Sequence, residues 1–364
     1  MKQKMLIVDC NLKIGGIQKA LINLLKQLHD IYDVTLLLFY PAGSLIDEVP
    51  KDVRVLGAQS DFRYMGMAQE NCAKRMDQFK RAVYVLVARL FGQKVAVKLA
   101  SWTLLRDRKQ LETEYDIAIS YSHMAPERTF FSGTAPYVLE VCKAALKCCY
   151  IHCDYQNSGN RSAYSDEVYR RFDRIFCVSE SVRRRFLKAL PELKEIVLTC
   201  PNAVDEKMIL RMAEDSPYVY DASYINLLTV ARLTAEKGVR RVIGALAQVK
   251  SSHIRYYVVG DGKERKELEA YVAAQGLTEC IFFLGETDNP YRYMQNADWL
   301  VVPSYHEAAP VVFQEAKVLK LPILTTRTTS ADEMIGTEFG MVVENSDEAI
   351  YDAMRSILHQ AEER

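Results

Sequence analysis

Residues 299–326, WLVVPSYHEAAPVVFQEAKVLKLPILTT, constrain the fold of this chain most tightly. Trp299 to Val302 reads as a buried strand running into a turn. A helix starting near Pro310 then leads back to a second apolar strand, Leu321 to Leu324. Strand, helix and strand at this spacing specify an α/β chain with a parallel sheet. Pro310 suits the first helical position, where a missing N–H costs nothing. The free amides of the first turn, Val311 and Val312 among them, then point at whatever occupies the loop. A helix start at the carboxyl end of a parallel strand is a ready phosphate seat.

Two carboxylates flank that seat. Glu307 falls in the loop, and Glu315 sits about a turn and a half inside the helix. Carboxylates accept hydrogen bonds from sugar hydroxyls. A ligand carrying a phosphate and many hydroxyls, as a nucleotide sugar does, suits the pair.

The same rhythm runs through the rest of the chain. Lys4 to Asp9 reads as a strand, followed by a loop with Gly15-Gly16 and an apolar-periodic helix through Leu21, Leu24, Leu25 and Leu28. Gly16 either lets the backbone approach a ligand closely or only makes a tight turn. Further strands are expected at Val34 to Phe39, Asp116 to Ser120, Ala144 to His152, Arg174 to Val178 and Ile196 to Thr199. His152 closes its strand at the carboxyl end, facing the crevice where α/β proteins bind ligands. A histidine satisfied within its own loop fits the local sequence as well. Ser179 or Ser181 is expected to cap the helix that Pro191 stops.

Residues 201–224 lack strand character and read as a domain connection. The pattern then restarts, with strands at Ile225 to Val230, Arg255 to Val259 and Ile281 to Leu284. Helices are expected at Val239 to Val249, Lys263 to Ala274 and around Tyr291 to Ala297. The expected organisation is a first domain over 1–200, a connection over 201–224, a second domain over 225–345 and a C-terminal helix over 346–364. Both domains are expected to be doubly wound and Rossmann-like, facing a cleft.

Composition narrows the function. A length of 364 residues agrees with two domains. The 47 basic and 47 acidic residues cancel, so nucleic acid is not an expected partner. No secretory signal precedes the first strand, and no apolar run reaches the roughly 18–20 residues of a bilayer span. A cytoplasmic protein, soluble or peripheral at a membrane, is expected. Cys142, Cys148, Cys149 and Cys153 surround His152 at spacings that match no zinc pattern, so reduced thiols and no metal site are expected.

Residues 62–110 break the rhythm. Eleven Lys and Arg against three Asp and Glu leave this segment at +8. The basic residues alternate with Phe79, Val83, Tyr84, Val87, Leu90 and Phe91 at helical spacing. Two readings stay open: helices lying on an anionic membrane surface, or a helix pair packed on the sheet with a solvated basic face.

Arg232 and Lys237 flank a loop between a strand and a helix of the second half. Both can reach the carboxyl end of that strand. A diphosphate leaving group gains negative charge as a glycosidic bond breaks, and that charge must be stabilised. No Asp-x-Asp triplet occurs to hold a metal there. Two cations and helix amides can serve instead, each charged hydrogen bond contributing about 1.5–3 kcal/mol.

With these residues in place, the sequence resembles the retaining glycosyltransferases of family 4, which have the GT-B fold. The resemblance covers most of the chain, through IGGIQKALINLL, YIHCD, VSESV, PNAVD, VARLTAEKG, VVGDG and NADWLVVPSYHEAAPVVFQEA. It implies that Arg232 and Lys237 bind the donor diphosphate and that Glu315 holds the ribose hydroxyls. Glu307 would bind the donor sugar, His152 would approach that sugar from the first domain, and Gly16 would let the first loop close over the diphosphate. Val311 and Val312 would contribute amides to the donor. Base recognition would rest on backbone groups near Gly285–Thr287. Ala308 and Ala231 stand where the family usually has glycine, and each added methyl narrows the loop beside the donor.

The resemblance further implies a metal-independent hexosyltransferase acting with retention on a glycan or lipid-linked saccharide, in bacterial cell-surface polysaccharide synthesis. The expected donor is a UDP-sugar, with no other cofactor. Two alternatives remain: a nucleotide-sugar epimerase on the same fold, and a catalytically silent partner subunit that uses the cleft for docking.

Overall fold

The computed structural model describes residues 2–68, 71–72, 74–111, 114–250 and 253–362. Glu70 and residues 363–364, counted in the sequence reading, lie outside this set. The chain divides into two compact units, Met1–Ala203 and Val204–Arg364.

The first unit opens with β1 (Lys4–Asp9), α1 (Gly16–Leu28), β2 (Asp33–Leu38) and β3 (Arg54–Gly57). Four helices follow: α2 (Arg63–Gly66), α3 (Arg75–Phe91), α4 (Gln93–Ser101) and α5 (Leu105–Gln110). Then come β4 (Tyr115–Ser120), α6 (Thr134–Val141), β5 (Ala144–Ile151) and α7 (Ala163–Tyr169). The unit ends with β6 (Arg174–Cys177), α8 (Glu180–Ala189) and β7 (Val197–Thr199). All seven strands pair in parallel in the order β3-β2-β1-β4-β5-β6-β7. Met5 to Asp9 are buried without interruption, because helices cover both faces of a parallel sheet and leave no polar alternation.

The second unit begins with α9 (Glu206–Glu214), β8 (Ile225–Val230), α10 (Val239–Val249), β9 (Ile254–Val259) and α11 (Arg265–Ala274). It continues with β10 (Ile281–Gly285), α12 (Tyr291–Met294), β11 (Trp299–Val302) and α13 (Val311–Val318). Last come β12 (Ile323–Thr326), α14 (Ala331–Ile335), β13 (Gly340–Val343) and α15 (Asp347–Glu362). Its six strands are also parallel, in the order β10-β9-β8-β11-β12-β13. Each sheet therefore has one place where strand order reverses, β1 beside β4 and β8 beside β11. Loops leaving such a pair diverge and open a crevice at the carboxyl ends of the strands.

Several expectations shift. Residues 201–224 contain helix α9, whose Asp205 side chain caps it by accepting from the Met208 amide at 3.0 Å. Ile209 and Ala213 of α9 are buried among Leu228, Leu300 and Phe313 of the second unit. Pro310 is the N-cap of α13 in an extended conformation (φ −62°, ψ 125°), not its first helical residue. The C-terminal helix α15 buries Ile350, Ala353, Met354 and Ile357 with Val242 and Leu246 of α10, inside the core of its own unit. Ser179, not Ser181, caps α8, its Oγ accepting from the Val182 amide at 3.0 Å. Strands β3 and β13 escaped the sequence reading. Both are edge strands of four residues and only partly buried, so their periodicity is weak.

Candidate functional site

In the second unit, the loops after β8 and β11 meet at the reversal point. Lys237 sits at the end of a short 3-10 turn after β8, and Glu307 lies in the loop after β11. Their side chains pair, Lys237 Nζ donating to Glu307 Oε1 at 2.5 Å, with only 22% and 14% of the two side chains exposed. Ser304 Oγ donates to the same carboxylate oxygen at 2.9 Å. Further ties hold the loops together: Tyr305 N donates to the Glu236 carbonyl at 2.9 Å and Arg241 Nη1 to the Pro303 carbonyl at 3.0 Å. Arg241 is nearly buried on α10, and it also donates to Asn345 at 2.7 Å and Asp347 at 2.6 Å.

Glycines set the path of these loops. Gly238 caps α10 at φ +66°, and a Cβ there would stand 2.2 Å from the Pro303 carbonyl oxygen. Gly260, after β9, has φ +133°, and its Cβ would stand 1.9 Å from the Ala231 carbonyl oxygen. The VVGDG motif is thus a packing surface for the loop that carries Arg232. Gly285 is committed as well, its carbonyl accepting from Gly260 N at 2.7 Å.

Arg232 is exposed, and its guanidinium has no ion-pair partner among the described residues. Glu315 lies on α13 and is 5% exposed, its Oε1 accepting from the Tyr291 hydroxyl at 2.8 Å. Within the first turn of α13, Phe313 N already donates to the Pro310 carbonyl at 3.2 Å. The Val311 and Val312 amides have no backbone partner among the described residues. The loops after β8 and β11 therefore carry two cations, one carboxylate and helix amides, of which Lys237 and Glu307 are joined, while Glu315 follows on α13 beside Tyr291. This chemistry fits an anion joined to a polyol.

Sequence reasoning missed Ser304, Tyr291 and Arg241. Ser304 sits in the singled-out segment but carried no pattern of its own. Tyr291 became a partner of Glu315 only through folding, across 24 residues. An arginine among Val239, Val242 and Ile243 was the one available signal for Arg241, since a charge on an apolar face needs partners.

The first unit has a separate cluster at its own reversal point. Asp9 ends β1, Ser122 and His123 follow β4, and His152 and Cys153 follow β5. Ser122 Oγ donates to Asp9 Oδ1, while Asp9 Oδ2 is buried with no hydrogen-bond partner among the described residues. Burial pushes the Asp9 carboxyl up to about 6. His152 packs on Tyr121 and Tyr150, with ring centroids 4.9 and 5.6 Å away. Burial, and then the charge of His123, drive its imidazole down to about 3, so it is neutral at neutral pH. Its Nε2 is buried and unpartnered among the described residues, so the loop does not satisfy it. Burial alone would lower His123, but Cys153 and Asp9 outweigh it and raise the imidazole. Cys153 is the reciprocal case: burial would raise the thiol, but His123 first among its neighbours brings it down. Gly16 is the first residue of α1, after an extended Gly15.

The Asp9 shift makes a stability prediction. A carboxyl raised in the folded state favours folding most when protonated, so that contribution is present below about pH 4 and is lost as pH rises through about 6. Asp9→Asn removes the titration. Its stability relative to the native chain should be higher at pH 8 than at pH 4 by roughly 1–3 kcal/mol. Urea unfolding at both pH values measures the difference, and an equal gap at both would refute a buried, raised carboxyl.

Comparison with known proteins places these residues in context. Residues 219–364 match the family described as Glycosyl transferases group 1. A curated relative from Campylobacter jejuni subsp. jejuni serotype O:2 is named N-acetylgalactosamine-N,N'-diacetylbacillosaminyl-diphospho-undecaprenol 4-alpha-N-acetylgalactosaminyltransferase. It is 27% identical over 160 residues, covering 43% of each chain. Lipopolysaccharide glucosyltransferase WaaG from Escherichia coli K12 is 33% identical over 141 residues, covering 37% of each chain. The chain thus spans under half the length of the curated relatives it matches. Solved structures extend the likeness to the whole fold. Anabaena Alr3699/HepE in complex with UDP aligns at TM-score 0.69 and 17% identity, over 98% of this chain and 90% of that one. The same protein with UDP-glucose aligns at 0.70 and 16%, over 99% and 91%.

Proposed function

With residues 219–364 matching the family described as Glycosyl transferases group 1 and the fold being GT-B, we propose that this chain is a glycosyltransferase. It moves a hexose from a UDP-sugar to a glycan or lipid-linked saccharide, in the synthesis of a bacterial cell-surface polysaccharide. The observation that carries this reading is the Lys237–Glu307 pair at the β8/β11 reversal point, with Arg232 unpaired on the same loop.

In this reading Arg232 and Lys237 take the diphosphate, helped by the Val311 and Val312 amides. Their charge offsets the negative charge that grows on the leaving phosphate, so no metal is needed. Glu307 and Glu315 accept hydrogen bonds from the sugar and ribose hydroxyls respectively. His152 of the first unit is neutral and has a buried nitrogen with no hydrogen-bond partner among the described residues. The acceptor hydroxyl oxygen bonds to the anomeric carbon as the bond to the UDP oxygen breaks, and its proton passes to the departing phosphate. Retention is proposed as same-face attack without an enzyme nucleophile. Glu307 is engaged by Lys237 and Ser304, and Glu315 by Tyr291. A lipid-linked acceptor places the chain in the cytoplasm at the membrane face. UDP follows from the ligands named in the related structures.

The test is thermal unfolding of the full chain with UDP, GDP, ADP or CMP in the presence of EDTA. A ligand at about 100 times its dissociation constant stabilises by about 2.7 kcal/mol. UDP should raise the melting temperature and the other nucleotides should not. Silence from all four would remove the donor site. A requirement for a divalent ion would leave the site but overturn metal independence.

A further inference from the structure

Helix α3 is built inside out. Met76, Phe79, Val83, Leu86 and Leu90 recur at three- and four-residue spacing, and each is exposed, from 41% to 66%. At 100° per residue they form one stripe along four turns. The opposite stripe, Asp77, Arg81, Tyr84 and Ala88, is the one that packs. Asp77 accepts from Arg63 at 2.9 Å and from Tyr64 at 2.6 Å, and Arg81 donates to the Met67 carbonyl at 2.9 Å. Tyr84 donates to Asp61 at 2.8 Å and stacks on Phe130 at 4.8 Å. The apolar face is therefore left outward while polar side chains do the anchoring. Nine of the 17 large exposed apolar side chains among the described residues lie between positions 76 and 105, Phe91 and Trp102 included. Elsewhere such residues are scattered singly, which is ordinary; a contiguous stripe marks an interaction surface.

Charge says what covers it. Arg75 and Arg89 flank one edge of the stripe and Lys80 the other, and Lys98 of the following helix is also exposed. Asp77 is the one acidic residue between positions 74 and 106, and it is turned inward. No helix among the described residues is long and apolar enough to cross a membrane. An apolar stripe with cationic edges suits the boundary of a bilayer, where apolar side chains enter the acyl region and the cations meet anionic headgroups. A second copy would bring the same cations against each other.

We propose that the outward face of α3, the stripe Met76, Phe79, Val83, Leu86 and Leu90, docks the first unit on an anionic lipid surface. It deepens the transferase reading, which has the chain at a membrane face, by naming the surface that meets the lipid, and it rests on the exposed stripe of the first unit.

The experiment uses the full chain without nucleotide, sedimented with phosphatidylcholine vesicles that contain or lack phosphatidylglycerol. Binding should require the anionic lipid and weaken with added salt. The double variant Phe79→Glu, Leu86→Glu should bind roughly tenfold or more weakly, as apolar burial is replaced by charge at an anionic surface. Val219→Glu, a change at an isolated exposed side chain of the second unit, should bind like the native chain. Both positions of the double variant are exposed, so folding is retained, and its UDP-induced thermal shift should match the native one. Native protein that stays in the supernatant overturns the proposal, as does a double variant that binds equally. A native dimer that the double variant splits, with no vesicle binding, assigns the stripe to a second copy instead. Loss of the UDP shift with vesicle binding intact would strike the transferase reading alone.

Discussion

Lys237→Ala is expected to lower the rate of sugar transfer about 30-fold, equal to roughly 2 kcal/mol of transition-state stabilisation. An ammonium has three donors. Glu307 takes one at 2.5 Å, which orients the amine and leaves two for a diphosphate. The partly buried position, with 22% of the side chain exposed, limits screening by water, so a charged hydrogen bond there has real weight. Glu307→Gln provides the comparison. It removes the ionic partner but keeps an acceptor for Ser304, and it should act mainly on the sugar rather than on UDP binding. The UDP-induced thermal shift should therefore shrink in the lysine variant and persist in the glutamine variant. An unchanged transfer rate in Lys237→Ala would remove the assigned role.

Gly260→Ala should destabilise the second unit by about 3 kcal/mol and abolish the UDP response. Two costs combine. The residue has φ +133°, where L side chains are strained, and the new Cβ would stand 1.9 Å from the Ala231 carbonyl oxygen. That neighbour is backbone and cannot rotate aside, so the loop bearing Arg232 must move. Gly276 supplies a milder comparison. It too has a positive φ, +69°, but nothing lies within 4 Å of its Cβ position. Gly276→Ala should cost only about 1 kcal/mol, the local strain alone. Urea unfolding of both variants reads the difference. Equal losses would mean that the contact with Ala231 relaxes freely.

Much of the fold was legible because parallel strands are buried on both faces and read as continuous apolar runs. The central strands β1, β4, β8 and β11 are of this kind, and all four were found. Of the four edge strands, β7 and β10 were found, whereas β3 and β13 have no fully buried residue and lose the signal. Helix α9 was passed over as a connection, because its apolar residues alternate with Glu206, Lys207 and Arg211 in a polar stretch. Pro310 was placed one position too deep. Proline tolerates both the cap and the first turn, so the choice between them is made by the backbone that leads into it.

Residue type and spacing alone singled out Glu307, Glu315, Arg232, Lys237 and His152, because a phosphate-and-hydroxyl ligand restricts which side chains can serve. What the sequence could not contain is their pairing. Lys237 and Glu307 stand 70 positions apart, and only the neighbouring of β8 and β11 brings their loops together. Orientation was hidden for the same reason. The basic segment showed helical periodicity, yet a period marks two opposite faces without saying which one packs. Asp61, Tyr64, Met67 and Phe130 decide that for α3 by offering polar and aromatic partners to Asp77, Arg81 and Tyr84. Local patterns follow from each residue's own chemistry, whereas a site or a packed face depends on which distant neighbours arrive, and only the tertiary structure supplies those.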